Sequence, residues 1–237
     1  MSNNYFQFKK FTIEQSGCAM KVGTDGCLLG SWFDCSQSRY ILDIGTGSGL
    51  IAIMAAQRCK DAYITGIEID VDAANQAKEN VKNSPWRERI EIVTGNLLDY
   101  NTDKLFDTIV SNPPYFVNSL KCDNDSRTLA RHNDSLDCKD FFKKTESLLR
   151  PGGKIYIIIP CDIFEEWNFA AIVNGFSPTR AVYIKTTPRK QPKRVMVEFG
   201  RENCTMYKEE TLVLETEPGV YSKEAQELLR DFYLKIV

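Results

Sequence analysis

Along the first 160 residues, short apolar runs alternate with stretches in which apolar residues recur at helical spacing. The runs Tyr40–Ile44, Tyr63–Ile67, Ile90–Thr94, Phe106–Ser111 and Lys154–Ile159 are rich in β-branched residues and bounded by turn formers, which predicts buried strands. Helices are predicted from Leu50 to about Cys59, from Val71 to about Lys82 and from Lys139 to about Leu149. Arg150-Pro151-Gly152-Gly153 reads as a tight turn into the fifth strand, which Pro160 stops. Strands alternating with helices predict an α/β fold with a parallel, doubly wound sheet and helices on both faces.

After about Arg180 the rhythm changes. Ala181–Ile184 and Val195–Phe199 read as paired strands, and the tail reads as closing structure with an amphipathic helix from about Ser222 to Lys235. Before the first strand, Phe6, Phe8, Phe11 and Ile13 suggest a short strand or hairpin. There Thr24 or Asp25 is placed to cap a helix carrying Leu28, Leu29, Trp32 and Phe33. The division expected is one domain over 1–237, with an N-terminal segment (1–38), a core (39–200) and a C-terminal closing segment (201–237).

The 43% hydrophobic content and net charge of -2 are those of an ordinary globular protein. No stretch approaches the roughly 18 apolar residues of a membrane span, and Met1–Lys10 is unlike a signal peptide, so a cytoplasmic protein is expected. The eight cysteines form no C-x-x-C pair and His132 is the lone histidine, so no metal site is expected and most cysteines should be reduced thiols in small core positions.

Two stretches carry chemistry. The first strand runs through Asp43 into Gly45-Thr46-Gly47-Ser48-Gly49 and then a helix, the context in which backbone approaches a ligand closely. Leu50 stands where a dinucleotide fingerprint wants its last glycine, which argues against a nicotinamide dehydrogenase. Asp43 would repel a pyrophosphate and suits an amino-bearing ligand. The fourth strand ends on Asn112-Pro113-Pro114-Tyr115. There the Asn112 oxygen and a carbonyl freed by the prolines can each accept one N–H of a planar amine, with Tyr115 available to stack. Taken alone, the tetrapeptide reads equally as a proline-stiffened turn. Glu68, at the end of the second strand, is placed to take ribose hydroxyls, with Asp70 as a helix cap. In a parallel sheet, Asp43, Gly45, Gly47, Glu68, Asn96 and Asn112 share one rim. Lys185, Arg189, Lys190, Lys193 and Arg194 lie on a connection without acids. That connection reads either as a solvated hairpin tip or as a set of phosphate contacts.

Together the two motifs resemble the class I S-adenosylmethionine-dependent methyltransferases of the amino-methylating group, over roughly Tyr40 to Phe199. The resemblance implies a Rossmann-like, seven-stranded sheet with its last strand antiparallel. It implies S-adenosylmethionine as cofactor and S-adenosylhomocysteine as product, with Asp43, Gly45, Gly47 and Gly49 around the methionine part. Glu68 then matches the ribose-binding acid, Ile69 the residue beside the adenine, and Asn96 a position more often Asp. Met20–Gly26 with Leu28-Leu29-Gly30 and Trp32, the Asn112–Phe116 corner, and Arg127 with Ala130-Arg131-His132 make the chain similar to the bacterial tRNA adenine-N6 methyltransferases that modify adenine 37 of a valine tRNA. This implies a tRNA partner, a segment covering the cofactor with Lys21 and Thr24 near its carboxylate, and substrate contacts from Arg127, Arg131 and His132. The covering role of Thr24 competes with its helix-cap reading.

The chemistry expected is direct methyl transfer to the N6 amine of adenine, with Asn112, Pro113 and Tyr115 as the catalytic corner and no metal. Glutamine N5 methylation of translation release factors would present a similar planar amide. Enzymes of that kind usually carry an additional helical N-terminal domain, whereas about forty residues precede the first strand here. DNA adenine methylation is disfavoured because no room remains for a sequence-reading domain.

Overall fold

A computed structural model describes residues 3–18, 20–114, 136–201 and 207–236. An N-terminal hairpin, β1 (Tyr5–Gln7) and β2 (Thr12–Glu14), precedes helix α1 (Thr24–Trp32). The alternating core follows as β3 (Tyr40–Ile44), α2 (Leu50–Arg58), β4 (Tyr63–Glu68), α3 (Val71–Lys82), β5 (Ile90–Thr94) and β6 (Phe106–Ser111). It continues with α4 (Cys138–Leu148), β7 (Leu149–Pro160), α5 (Phe164–Val173), β8 (Ser177–Lys185), β9 (Arg194–Gly200), β10 (Lys208–Val213) and α6 (Lys223–Leu229).

The main sheet has eight strands in the order β10-β8-β9-β7-β6-β3-β4-β5. Strand β9 runs antiparallel to both its neighbours, and the remaining pairs are parallel. The central runs are largely apolar because those strands are buried on both faces, whereas the edge strand β5 alternates, with Glu91 and Thr94 exposed. In β7, Tyr156 and Ile158 enter one core with α1, α2 and the hairpin, while Ile155, Ile157 and Ile159 enter the other with Phe141, Phe142 and Trp167 of α4 and α5. This is the period-two alternation of a strand. From β3 the chain winds outward through β4 and β5, then returns to pair β6 on the opposite side of β3. In open sheets of this kind ligands bind at such a reversal, here above the carboxyl ends of β3 and β6. Far below it, the Arg89 guanidinium donates to the carbonyls of Ala56 (2.6 Å), Cys59 (2.8 Å) and Ala62 (2.7 Å), satisfying the end of α2.

Several expectations are corrected. The sheet has eight strands rather than seven, because β10 of the closing segment pairs with β8 at the edge. Neither Thr24 nor Asp25 caps α1: Gly23 holds that position and makes no side-chain cap bond. The expected turn at Arg150–Gly153 is absorbed into β7, and Gly152, at φ 77°, accommodates the irregularity. The tail helix is only Lys223–Leu229, capped by Ser222. Cys35 and Cys59 form a disulfide with Cα atoms 6.1 Å apart. Packing of α1 on α2 brings the two cysteines together, and their 24-residue separation gave no local signal. Cys18, Cys27, Cys138 and Cys161 are free thiols, as expected. Cys122 and Cys204 lie outside the described residues.

Candidate active site

The turn after β3 is held against the end of the neighbouring strand β4. The amides of Gly45 and Thr46 both donate to the Ile67 carbonyl of β4, at 2.9 and 3.0 Å. Gly45 and Gly47 sit at φ 68° and 55°, which side chains with a Cβ rarely adopt, and a Cβ on either would meet no atom within 4 Å. The loop therefore offers bare backbone to open space. Beneath it Asp43 is fully buried. Its Oδ2 accepts from Thr46 Oγ1 at 2.6 Å and from the Ala52 amide at 3.1 Å, whereas Oδ1 has no hydrogen-bond partner in the protein. Burial, only partly opposed by those two bonds, pushes this carboxyl up to about 7.

Glu68 bridges the loop to the next strand end. Oε2 accepts from the Gly47 amide at 2.7 Å and Oε1 from the Asp70 amide at 3.0 Å, which leaves each oxygen further acceptor capacity. Asp70 caps α3 through Ala73, as expected. Asn96 caps the short turn Leu97–Asp99, its Oδ1 accepting from the Leu98 amide at 2.9 Å. The oxygen expected to face an adenine amine thus already carries one bond. Ile69 and Leu98 follow the ends of adjacent strands and are exposed apolar side chains; the sequence reading missed Leu98.

Asn112 follows β6 directly beside the glycine loop. The two strand ends are joined by Ser111 Oγ, which donates to the Ile44 carbonyl at 2.8 Å. Pro113 is buried and Pro114 exposed. Helix α1 presses on this corner: a Cβ on Gly26 would lie 3.9 Å from the Asn112 side-chain nitrogen Nδ2 and 3.0 Å from the Leu50 side chain. The segment leading to α1 runs over the face of α3. Ser16 Oγ and the Gly17 amide donate to Gln76 at 3.2 and 3.3 Å, and Lys21 Nζ donates to the Gln15 carbonyl at 2.6 Å. The Cys18 thiol is pushed up chiefly by burial and next by the Glu68 carboxylate. Thr24 is exposed in the first turn of α1.

The basic connection joins β8 to β9 at the same rim. Arg189, Lys190 and Lys193 are exposed and Lys185 is half-buried, but the Arg194 guanidinium pairs with Asp25 of α1 at 2.8 Å. Tyr115, Arg127, Arg131 and His132 lie outside the described residues. Among the described residues no group of three or more His, Cys, Asp or Glu could hold a metal ion, and no helix is long and apolar enough to cross a membrane.

The residues fit the ligand that the resemblance implies. A buried, orphaned carboxylate oxygen suits an ammonium, and a half-satisfied acid at a strand end suits a ribose diol. A bare glycine backbone admits close approach, and exposed aliphatic side chains suit the flat face of a base.

Residues 18–166 match the family described as methyltransferase small domain. The chain is 47% identical, over the full length of both proteins, to a tRNA1(Val) (adenine(37)-N6)-methyltransferase of Bacteroides thetaiotaomicron. It is also similar to a solved structure described as a predicted O-methyltransferase from Agrobacterium tumefaciens, with a TM-score of 0.69 at 18% identity, covering 90% of this chain and 99% of that one. A glycopeptide N-methyltransferase complexed with S-adenosyl-L-methionine has a TM-score of 0.56 at 14% identity, covering 77% of this chain and 100% of that one. The fold is that of class I methyltransferases.

Proposed function

The chain belongs to the methyltransferase small domain family and, within it, to the tRNA1(Val) (adenine(37)-N6)-methyltransferases, and on that premise we propose that it methylates the N6 amine of adenine in tRNA, at position 37 of a valine tRNA, in the cytoplasm. S-adenosylmethionine, when bound, supplies a methyl group activated by its sulfonium. Asp43 holds the ligand's ammonium through Oδ1, Glu68 accepts from its ribose hydroxyls, the backbone around Gly47 lies along its chain, and Ile69 and Asn96 meet its adenine. Lys21 and Thr24 sit toward its carboxylate end.

The protein's part in the transfer is placement. Asn112 Oδ1 and the Pro113 carbonyl accept the two hydrogens of the target amine, which turns its lone pair out of the ring plane toward the methyl group. Tyr115 stacks on the base. The amine attacks with its own lone pair, and its proton passes afterwards to the acceptors or to solvent. A base inside a duplex could not enter this corner, so the substrate adenine is unpaired, as in an anticodon loop. Lys185, Arg189, Lys190 and Lys193, on the same rim, contact phosphates; Arg127, Arg131 and His132 add contacts from the segment after the corner.

One observation carries the reading: the glycine loop over Asp43 and the Asn112 corner are joined side by side through Ser111 and Ile44. The test is transfer of labelled methyl groups to total tRNA and, separately, to purified release factor. N6-methyladenine in the tRNA is expected. Label in the release factor alone would keep the corner's chemistry and move the activity to glutamine. Asn112→Ala should lower kcat at least 100-fold with S-adenosylhomocysteine affinity unchanged; full activity in that variant would refute the role given to Asn112.

A further inference from the structure

In α3 the apolar stripe Ala73, Ala74, Ala77, Val81 is interrupted by Asn80, which is buried to 2% exposure. Asparagine is a poor helix former that competes with its own backbone for hydrogen bonds, so its place on the inward face calls for a partner outside the helix. It has three. Its Oδ1 accepts from the Glu14 amide at 2.9 Å, and its Nδ2 donates to the Glu14 carbonyl and to the Ser48 carbonyl, both at 2.8 Å. Both amide hydrogens are used.

Toward Glu14 the side chain acts as one more strand, pairing with both main-chain groups at the end of β2. Beyond Glu14, Gln15 is buried, and its Oε1 accepts from the Val22 amide at 2.7 Å, so a short chain of bonds runs from Asn80 to the start of α1. Ser48 lies between Gly47 and Gly49, both in the left-handed conformation. Four anchors set the path of this loop: the Asp43 carboxylate through Thr46, the Ile67 carbonyl, the Glu68 carboxylate and Asn80. Of these four, Asn80 is the one that also bonds the end of β2, from which the segment leading to α1 departs.

We infer that Asn80 is a positioning residue for the cofactor site, locking the glycine loop and the N-terminal covering segment to one turn of α3. It touches neither ligand nor substrate. Removing its amide leaves the Ser48 carbonyl and both Glu14 groups without their partner, and the loop and cover lose their common reference.

The inference rests on the reading of this rim as the S-adenosylmethionine site, and the experiment separates the two. S-adenosylhomocysteine binding to the wild-type chain is measured first by calorimetry; absence of binding would sink the reading of the site itself. Asn80→Ala and Asn80→Leu, the second of which keeps the volume, are then compared with Val81→Ala, a cavity in the same helix. Both Asn80 variants should raise the Kd for S-adenosylhomocysteine and the KM for S-adenosylmethionine at least tenfold. They should leave the KM for tRNA unchanged and lower kcat less than threefold. Val81→Ala should lower Tm while keeping both cofactor constants. Wild-type cofactor constants in the Asn80 variants, or the same loss in Val81→Ala, would overturn the inference. Failure of both Asn80 variants to fold would do so as well, since Asn80 would then serve the fold as a whole.

Discussion

If Asp43 holds the cofactor's ammonium as proposed, cofactor binding should depend on pH in a direction set by the burial of its carboxyl. Its carboxyl is fully buried and stands at about 7, against roughly 4 in an unfolded chain. A group raised on folding favours the protonated native state, so this contribution to stability is whole below about pH 4. It is lost as pH rises through 7, and the difference corresponds to roughly 4 kcal/mol. An ammonium bonded to the orphaned Oδ1 would offset part of that cost, and it requires the ionised form. With a carboxyl at about 7, the ionised fraction rises about fivefold between pH 6 and pH 7. Affinity for S-adenosylhomocysteine should rise by the same factor, close to 1 kcal/mol. The range stops at pH 7 because the ligand's own amine begins to lose its proton near 8. Calorimetry in two buffers of different ionisation enthalpy should register proton release at pH 6. Asp43→Asn should bind more weakly at pH 7, with no slope between pH 6 and 7, and its unliganded form should lose the fall in Tm toward neutral pH. A wild-type Kd that stays flat from pH 6 to 7, or an equal slope in Asp43→Asn, would refute the role of Oδ1.

Other outcomes follow from the same geometry. Glu68→Gln sets an amide N–H against the amide of either Gly47 or Asp70, and the loss of a charge-assisted acceptor, about 1.5–3 kcal/mol, should weaken S-adenosylhomocysteine binding some 10- to 100-fold by calorimetry. Replacing Arg189 and Lys190 by Ala should raise the KM for tRNA and reduce the slope of log KM against log salt by roughly one for each phosphate these side chains neutralise. Arg194→Ala should alter that slope less, because Asp25 already holds the guanidinium; an equal change would contradict the pairing. Arg89→Ala removes the guanidinium that the Ala56, Cys59 and Ala62 carbonyls accept from in and just after the last turn of α2, so calorimetric unfolding should show about 2–3 kcal/mol lost, with methyl transfer at 25 °C unchanged.

The alternation of strands and helices was legible because the central strands are buried on both faces and so read as largely apolar runs, and the edge strand β5 still alternates apolar with polar positions; β5 and β6 match their predicted limits residue for residue. The glycine loop and the Asn112 corner were legible for a different reason. Left-handed backbone and a double proline constrain residue type locally, whatever surrounds them. The eighth strand was harder to see, because an edge strand such as Lys208–Val213 is half solvated and carries charges.

What tertiary structure alone decided is which groups share a partner. Sequence placed Asp43 at a strand end, but only the fold buries it with one oxygen bonded twice and the other not at all. Glu68 was marked as an acid for a diol; that it also holds the Gly47 amide depends on the parallel pairing of β3 with β4. Asn80, Gln15 and the Cys35–Cys59 link had no sequence signature, since their partners lie 66, 7 and 24 residues away in directions set by helix packing. Arg194 belonged to a basic run by composition and to Asp25 by geometry. Periodicity records which face of an element is buried, and turn chemistry records backbone conformation. Hydrogen-bond partnership between distant residues is recorded by neither, because it exists only once the layers have packed.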